Sequence, residues 1–344
     1  AKADPLDQEA LSRASSIYTP DRRIPMLPSC LSLDLCSLKA REDRAAISTL
    51  VTLSELGRIK AFEVVASLIR VDRQLTYQDA DEMVEGDEMI RHLHLLAEAY
   101  HNRRLDNGAL SIDLPEINIW LNAEGEPEMS RGDRQSPSHL IVSELMILTN
   151  ELAARMLSER HLPAIFRSQA EPRERLFDRD QGTLFQNWMQ RRFLNRFVLG
   201  TMPEPHAGLG VPAYVTSTSP IRKYSDLVVQ RQVRAALGLE TAYSDSDLKR
   251  ILAELEQPMG LVGRIQYNRH RYWLLKYLEG RIGQKEEAYV LNKRREGFTV
   301  LIPGYMLECN LTGADNVSLK PEDLVQVTIQ HVNARNDTIN VYLG

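Results

Sequence analysis

The hydrophobic pattern of the sequence changes once, near Gly283, and this change constrains the fold more than any other feature. Before it, residues 220–237 and 245–278 carry the apolar spacing of long helices. After it, about five short apolar stretches alternate with turns to the end of the chain, a pattern typical of a small closed β-barrel. We therefore predict a larger domain over residues 1–283 and a five-stranded barrel over residues 284–344.

The larger domain combines strands with helices. Residues 45–71 contain two β-branched stretches around the turn S54-E-L-G57, which is a β-hairpin signal. Residues 87–104, 138–158 and 181–197 repeat apolar side chains at helical spacing. The sequence therefore predicts an α+β fold, in which a β-hairpin and long helices form one mixed domain.

Composition limits the possible partners. No apolar stretch approaches the roughly 20 residues that cross a bilayer, and Cys30, Cys36 and Cys309 lack the spacing of a zinc site. These features favour a cytoplasmic location without a membrane partner. With a formal net charge of -5 and a pI of about 6.0, the chain has no global attraction for nucleic acid, so any such partner must bind a local basic groove.

One motif, T216-S-T-S-P-I-R-K-Y-S-D-L-V-V-Q-R231, combines a helix start with a basic residue. Ser219 is a good N-cap and Pro220 suits the first helical position, so we predict that a helix begins at Pro220. Arg222 would then lie in the first turn, where the helix dipole disfavours a cation. A phosphate would satisfy both the free N–H groups and the guanidinium.

The same residues allow a second interpretation. Arg222 could pair with Asp226 one turn later, and Lys223 could do so at a spacing of three. Such surface pairs contribute only a few tenths of a kcal/mol, about 0.2–0.5. Residue chemistry alone leaves both interpretations open.

The stretch T218-S-P-I-R-K-Y-S-D-L-V-V-Q-R231 resembles the signature of the ribonuclease II/R family, whose catalytic fold is called RNB. The resemblance covers essentially the whole chain, because the terminal barrel is similar to the OB-type RNA-binding domain of these enzymes. Further matching segments follow in the family's order: S16-I-Y-T-P-D-R-R-I-P-M-L-P28, L31-S-L-D-L-C-S-L38, R73-Q-L-T-Y77, G108-A-L-S-I-D-L-P-E116, I141-V-S-E-L-M-I-L-T-N150 and H206-A-G-L-G210.

The resemblance implies a processive 3′-to-5′ exoribonuclease that hydrolyses single-stranded RNA to nucleoside 5′-monophosphates with a divalent metal, usually Mg²⁺. The family holds the metal with an aspartate cluster, D-x5-D-x-D-D, before the segment that corresponds to Leu6-Asp7, and this sequence has no such cluster. The acidic run D79-A-D-E-M-V-E-G-D-E88 is better interpreted as a solvated helix face and turn. We expect the Mg²⁺ ligands mainly upstream, no metal ligand in this chain, and no activity of this chain alone.

Site residues follow from the resemblance. Arg222 would hold a phosphate near the scissile bond, with Ser219 and Lys223 contributing to RNA binding in the same motif. Glu144 would hydrogen-bond a ribose 2′-hydroxyl, although Ser143 replaces the first member of the family's carboxylate pair. The alternative for Glu144 is an ordinary exposed helix glutamate.

Aromatic positions complete the predicted RNA site. Tyr18 would stack on a nucleotide at the 3′ end, or else be a loop tyrosine, and Tyr77 would line the site, or else enter a helix and pack on the core. Ile112 stands where the family usually has a second stacking aromatic, which predicts a nucleotide clamp that is weaker or built from another residue. In the barrel, K293-R-R295 would contact the RNA backbone from a hairpin turn and Phe298 would stack on a base.

Two other functions stay open. The chain could belong to a non-catalytic RNA-binding or scaffolding protein that retains the RNB channel. It could also be a translation-associated barrel protein whose larger domain mediates protein contacts. We infer single-stranded RNA as the partner and no obligatory protein partner.

Overall fold

The computed structural model describes residues 2–132, 136–314 and 317–344. The α-helices are α1 (Pro5–Arg13), α2 (Tyr77–Met83), α3 (Glu88–Asp106), α4 (Pro137–Glu159), α5 (Leu184–Phe193), α6 (Tyr224–Ala236) and α7 (Asp245–Glu279). The strands are β1 (Ile17–Thr19), β2 (Arg22–Ile24), β3 (Asp43–Leu53), β4 (Ile59–Arg70), β5 (Glu116–Leu121), β6 (Pro127–Gly132), β7 (Phe166–Ser168), β8 (Val198–Gly200), β9 (Lys285–Lys293), β10 (Phe298–Ile302), β11 (Leu307–Thr312), β12 (Leu324–Asn333) and β13 (Thr338–Leu343). The mixed α+β fold predicted from the sequence is confirmed.

The chain divides into two compact units. The first comprises Ala1–Ser16, Ile24–Asp113 and Gln135–Val262, and the second comprises Ile17–Arg23, Leu114–Arg134 and Gly263–Gly344. The sequence analysis instead divided the chain once, near Gly283. The second unit therefore contains more than the barrel, and the assignment of functional domains to residues 1–283 and 284–344 stays a prediction.

The first unit contains the predicted β-hairpin. Strands β3 and β4 pair antiparallel, with Ile47 opposite Ala66. The connecting turn passes Gly57, which has a φ of +67° and whose added Cβ would lie 2.5 Å from the carbonyl group of Ala99. Only glycine fits both the left-handed backbone and this close approach. The tip of the hairpin therefore packs directly against α3.

Helices α4 and α6 carry much of the core of the first unit. Leu152, Ala154 and Leu157 on α4 and Val228 and Val229 on α6 are essentially inaccessible to solvent. Burying side chains of this size contributes about 1.5–3 kcal/mol each for valine and leucine. Both helices are therefore firmly packed in the core, and residues at their ends and between them are held in place.

The second unit contains the closed barrel that the sequence predicted. Its strand order is β10-β11-β13-β12-β9, and all neighbouring pairs are antiparallel except the parallel pair β11 and β13. Val290, Val300, Ile329 and Val341 belong to the hydrophobic core of the barrel at 0% exposure. A closed sheet leaves no unpaired edge, so this barrel satisfies its own backbone groups.

The predicted helix start at Pro220 is wrong. Helix α6 begins at Tyr224, with Lys223 as the cap residue and no side-chain cap hydrogen bond. Residues 219–223 form a turn instead, because the carbonyl oxygen of Ser219 accepts from the N–H groups of Arg222 and Lys223 at 3.1 and 2.9 Å. Ser219 therefore closes a turn before the helix and does not cap the helix itself.

Candidate functional site

The turn that contains Arg222 is hydrogen-bonded to residues 14–16, directly after α1. The carbonyl oxygen of Arg222 accepts from Ser16 N and from Ser15 Oγ, both at 2.9 Å, and Tyr224 N donates to Ala14 O at 2.8 Å. The side chains of Arg222 and Lys223 remain exposed. The backbone of the turn is thus fixed while its two basic side chains are available to a ligand.

Asp226 is not the surface partner that the sequence allowed. Its side chain is 1% exposed, and its Oδ2 accepts from Ser219 N at 3.0 Å. Ser225 Oγ donates to the other oxygen at 3.2 Å. The alternative in which Arg222 or Lys223 pairs with Asp226 is wrong, because this carboxylate faces inward and shapes the turn.

The Arg222 side chain has no intramolecular partner in the part of the chain that the structure describes: no carboxylate lies within 4.0 Å of its guanidinium, and no acceptor is hydrogen-bonded to it. An exposed guanidinium costs little in water and keeps its five donors free. Planar acceptor-rich groups such as phosphate match that donor geometry. The local arrangement therefore suits an anionic ligand.

A buried hydrogen-bond network fixes the segment before the turn. Asn150 on α4 donates to Tyr214 Oη at 3.0 Å and accepts from Ser217 N and Ser217 Oγ at 2.8 and 2.9 Å. Gln230 on α6 donates to Ser217 O at 2.8 Å. Burial raises the pKa of Tyr214, so its phenol stays neutral. The network joins α4, the segment 214–217 and α6 into one unit.

A buried ion pair anchors the other end of the signature. Arg231 Nη2 lies 2.9 Å from Asp7 Oδ1, Tyr224 Oη donates to the same oxygen at 3.0 Å, and Arg231 Nη1 donates to Tyr243 Oη at 2.8 Å. Burial, followed by the charge of Asp7, raises the pKa of Tyr224. Arg231 therefore holds α6 against α1, which is a structural role.

Glu144 lies inside the first unit at 2% exposure, so its interpretation as an exposed helix glutamate is wrong. Arg104 Nε donates to Glu144 Oε2 at 2.8 Å, Arg104 Nη2 donates to Oε1, and His101 Nδ1 lies 2.8 Å from Oε1. Burial alone would raise the pKa of Glu144, but the hydrogen bonds from His101 and Arg104 outweigh it and the pKa is lowered. Both carboxylate oxygens therefore have protein partners, and a contact to ribose stays a prediction.

The glycine turn H206-A-G-L-G210 links this ion pair to the rest of the unit. Arg104 Nη1 donates to Leu209 O at 2.8 Å. Gly210 has a φ of +64°, and an added Cβ there would lie 2.5 Å from the carbonyl oxygen of Arg104. The turn can approach α3 this closely only because residue 210 has no side chain.

Sequence reasoning missed two basic residues, the buried His206 and the half-buried Arg167. His206 is 4% exposed, and burial, followed by the positive charge of Arg167, lowers its pKa to about 4. Arg167 on β7 stacks its guanidinium 4.0 Å from the ring centre of Phe197. His206 lies in the matched glycine turn, but nothing in the sequence distinguishes it from a structural histidine. A lone arginine on a three-residue strand gives no signal in the sequence.

The predicted aromatic positions fall in different units. Tyr77 is the first residue of α2, is 46% exposed, and stacks on His139 with ring centres 3.8 Å apart. Ile112 is half-buried in the loop before β5 in the first unit. Tyr18 is 48% exposed on β1, in the second unit. The exposed rings of Tyr18 and Tyr77 are available for stacking, and their roles stay predictions.

The barrel requires one correction. Phe298 is 3% exposed and belongs to the barrel core, so it cannot stack on a base as the sequence suggested. The basic segment at 293–295 does lie at the hairpin turn between β9 and β10 and is exposed. Arg294 from this turn lines a groove of about 390 Å³ on the barrel surface together with Thr299 and Asn310.

Carboxylates of the acidic run after the hairpin have structural roles. Asp79 forms a capping box with Thr76, Asp87 caps α3 and pairs with Arg73, and Asp81 accepts from Ser138 N at 2.8 Å. Among residues 2–132, 136–314 and 317–344, no three His, Cys, Asp or Glu side chains are grouped as a metal site. Across these same ranges, no helix is both long and apolar enough to span a bilayer.

Sequence comparisons agree with the motif. The family model for the RNB domain matches residues 1–238. An uncharacterized ribonuclease of Synechocystis sp. is 33% identical in an alignment of 305 positions that covers 85% of this chain and 45% of that protein. Ribonuclease R of Chlamydia pneumoniae is 25% identical in an alignment of 388 positions, gaps included, that covers 95% of this chain and 56% of that protein. The chain spans about half the length of these curated relatives.

Solved structures share the fold. Mycoplasma genitalium RNase R in complex with ribose methylated single-stranded RNA superposes with a TM-score of 0.86 at 18% identity, covering 100% of this chain and 64% of the other. Yeast Ssd1, described as a pseudonuclease, superposes with a TM-score of 0.72 at 18% identity, covering 96% of this chain and 47% of the other. At these identities the similarity concerns the fold alone.

Proposed function

This chain belongs to the RNB domain family, and on that premise we propose that it provides the phosphate-binding and RNA-binding residues of a 3′-to-5′ exoribonuclease. The substrate would be single-stranded RNA and the products nucleoside 5′-monophosphates. The proposal rests on one observation. The Arg222 guanidinium is exposed, while hydrogen bonds fix the backbone of its turn, residues 219–223. Similarity to an RNase R structure that contains single-stranded RNA supports the choice of ligand.

Arg222 would act on the phosphate under attack. During hydrolysis negative charge grows on the phosphoryl oxygens, and a positioned guanidinium stabilises that charge more than it stabilises the ground state. Because Asp226 is buried and bound to Ser219 N, it does not compete for Arg222. Arg222 would therefore contribute more to turnover than to the affinity for RNA.

Tyr18 would hold the terminal nucleotides. Its ring is 48% exposed on β1, and stacking of a base on an aromatic ring contributes about 1–3 kcal/mol. Ile112 can offer only an apolar contact at the position of the second aromatic. Tyr77, which already stacks on His139, would present its other face.

The proposed hydrolysis uses Mg²⁺, but the described residues contain no group of side chains that would bind it. Hydrolysis of phosphodiesters by paired Mg²⁺ ions needs clustered carboxylates, and the described residues do not provide them. We therefore assign no Mg²⁺ ligand among the described residues and no catalytic step here to the metal. Glu144 does not fit a metal role, because Arg104 and His101 occupy its oxygens.

A non-catalytic RNA-binding protein is the second candidate. It is favoured by the similarity to yeast Ssd1, a pseudonuclease, and by the lack of a metal-ligand group in the ranges that the structure describes. Such a protein would keep the basic turn and lose the hydrolytic step.

The deciding experiment uses the full-length gene product and a 5′-labelled single-stranded RNA. We expect Mg²⁺-dependent shortening from the 3′ end with release of nucleoside 5′-monophosphates, and no reaction in EDTA or with a blocked 3′ end. RNA that is bound but never shortened under these conditions would refute the enzyme and support the binding protein.

A further inference from the structure

The short hairpin that carries Tyr18 needs support from outside itself. Strands β1 and β2 have three residues each and form a two-stranded sheet. Within this hairpin, Thr19 Oγ1 donates to Arg22 O at 2.9 Å. A two-stranded hairpin alone is at best marginally stable in water, so contacts with another element must order it.

Asp21, in the turn of this hairpin, makes such contacts with α7. Trp273 Nε1 donates to Asp21 Oδ1 at 3.0 Å. Arg269 donates to both carboxylate oxygens, from Nε to Oδ1 at 3.4 Å and from Nη2 to Oδ2. Residues 17–23 and the part of α7 from Gly263 onward belong to the same compact unit. Two side chains of one helix therefore hold a single carboxylate at the hairpin turn.

The contact between Asp21 and α7 is charged at any ordinary working pH. Burial alone would raise the pKa of Asp21, but the hydrogen bonds from Arg269 and Trp273 outweigh it and lower the pKa to about 2. The Arg269 guanidinium also lies over the rings of Tyr272 and Trp273, 5.2 and 5.5 Å from their centres. Both partners of the carboxylate are therefore fixed on the helix before the hairpin docks.

The order of the hairpin determines how well Tyr18 can bind. Tyr18 lies in the middle of β1, three residues before Asp21, and its ring is exposed. The apparent affinity of a site falls in proportion to the fraction of molecules in the binding-competent conformation. A hairpin that is released from α7 would therefore present the Tyr18 ring in the correct orientation less often.

We propose that Asp21, held by Arg269 and Trp273, positions Tyr18 for stacking on a nucleotide at the 3′ end of the RNA. This inference rests on the proposed function, in which Tyr18 is the stacking residue. Asp21 is a positioning residue, because it acts through the hairpin and touches no RNA.

Binding of a 5′-labelled oligoadenylate to the full-length protein in EDTA tests the proposal without hydrolysis. Asp21→Asn removes a negative charge, and by electrostatics alone this change would strengthen the binding of anionic RNA. Because the hairpin loses its ionic contact with α7, we expect the opposite sign, a loss of affinity of about two- to fivefold.

Arg269→Met breaks the same contact from the side of the helix. It should weaken binding by a similar factor, and adding it to Asp21→Asn should cause little further loss, since the contact is already broken. An arginine that bound a phosphate directly would instead change the slope of log affinity against log salt by about 0.7. We expect the slope to stay unchanged.

A double-mutant cycle with Tyr18→Ala separates positioning from a general structural role. In the Tyr18→Ala protein, Asp21→Asn should cause no further loss of affinity, because the ring that it positions is gone. A merely structural carboxylate would cause the same loss with or without the ring. In the free Asp21→Asn protein, amide hydrogen exchange should be faster in residues 17–24, while the melting temperature stays close to that of the wild type.

Asp337→Asn is the matched control. Asp337 also pairs with an arginine of α7, Arg271, and its side chain is 63% exposed. The variant removes the same charge and breaks the same kind of contact with the same helix. It should not weaken RNA binding.

The proposal is overturned if Asp21→Asn binds RNA as tightly as the wild type or more tightly, if its loss of affinity persists in the Tyr18→Ala protein, or if Asp337→Asn weakens binding equally. Failure of the proposed hydrolysis would be seen separately, as RNA that the full-length protein binds but does not shorten. That result would leave the positioning of Tyr18 by Asp21 intact.

Discussion

Replacing Arg104 by methionine should remove one partner of a buried ion pair and leave the other in place. Arg104 is 6% exposed and Glu144 is 2% exposed. The variant loses two charge-assisted hydrogen bonds to Glu144 and a third bond to Leu209 O. Removing one member of a buried pair costs about 3–5 kcal/mol. Since His101 still contacts Glu144 at 2.8 Å, we expect the lower end, about 3 kcal/mol.

The pH dependence should identify charge as the cause. In the wild type the pKa of Glu144 is lower in the folded state than in the unfolded state. Glu144 therefore stabilises the fold above its unfolded-state pKa, and this stabilisation is lost as the pH falls through the folded-state pKa. Without Arg104, burial would raise the pKa of Glu144, and the variant would lose stability as pH rises. The destabilisation should therefore be clearly smaller at pH 4 than at pH 7.

Urea unfolding followed by circular dichroism at both pH values measures the effect. Arg155→Met, which breaks an exposed pair with Glu159 and removes a guanidinium from the face of Phe62, should change the free energy of unfolding by less than about 1 kcal/mol. An Arg104→Met variant that is equally destabilised at pH 4 and pH 7 would show that lost packing, not an unpaired carboxylate, is responsible.

Three further predictions concern the turns and the proposed site. Gly210→Ala should lower the free energy of unfolding by more than about 1 kcal/mol. Gly125 has a φ of +78° but open space around it, so Gly125→Ala should cost less in the same urea assay. Equal costs would mean that the close approach at Gly210 is unimportant. Arg222→Ala in the full-length protein should reduce kcat by about 10²-fold with a modest loss of RNA affinity, while Arg234→Ala, which breaks a pair between the exposed Arg234 and the half-buried Glu240, should change neither. Equal losses of affinity and turnover would make Arg222 a simple tether. Tyr18→Ala should weaken the hold on the last nucleotides by about 1–3 kcal/mol and change the length of the final product on a gel, and an unchanged product would remove Tyr18 from the site.

Local patterns predicted the elements whose causes are local. The hairpin of β3 and β4 follows from β-branched runs around Gly57, and the barrel follows from short strands at even spacing. Phe298 could not be placed in this way, because all five residues of β10 are buried and alternation gives no outward face. Its position depends on how the sheet closes.

The remaining errors arise from contacts that a local rule does not include. Ser219 and Pro220 satisfy the preferences for a helix start, but the carboxylate of Asp226, seven residues later, binds Ser219 N and a turn forms first. Glu144 is paired with His101 and Arg104 on α3, which lie 43 and 40 positions earlier in the chain, so its burial was not visible in the sequence. Arg167 and His206 become neighbours only after β7 and the glycine turn pack together.

The residues of the signature stretch divide into two groups, one that maintains the fold and one that is available to a ligand. Tyr224, Asp226, Gln230 and Arg231 face inward and maintain the architecture, while Arg222 and Lys223 face outward. A related protein without the proposed RNA cleavage would still need most of these residues to fold. The presence of the stretch in another sequence therefore indicates that the fold is intact, and only the outward pair, together with acidic residues elsewhere, bears on the proposed cleavage.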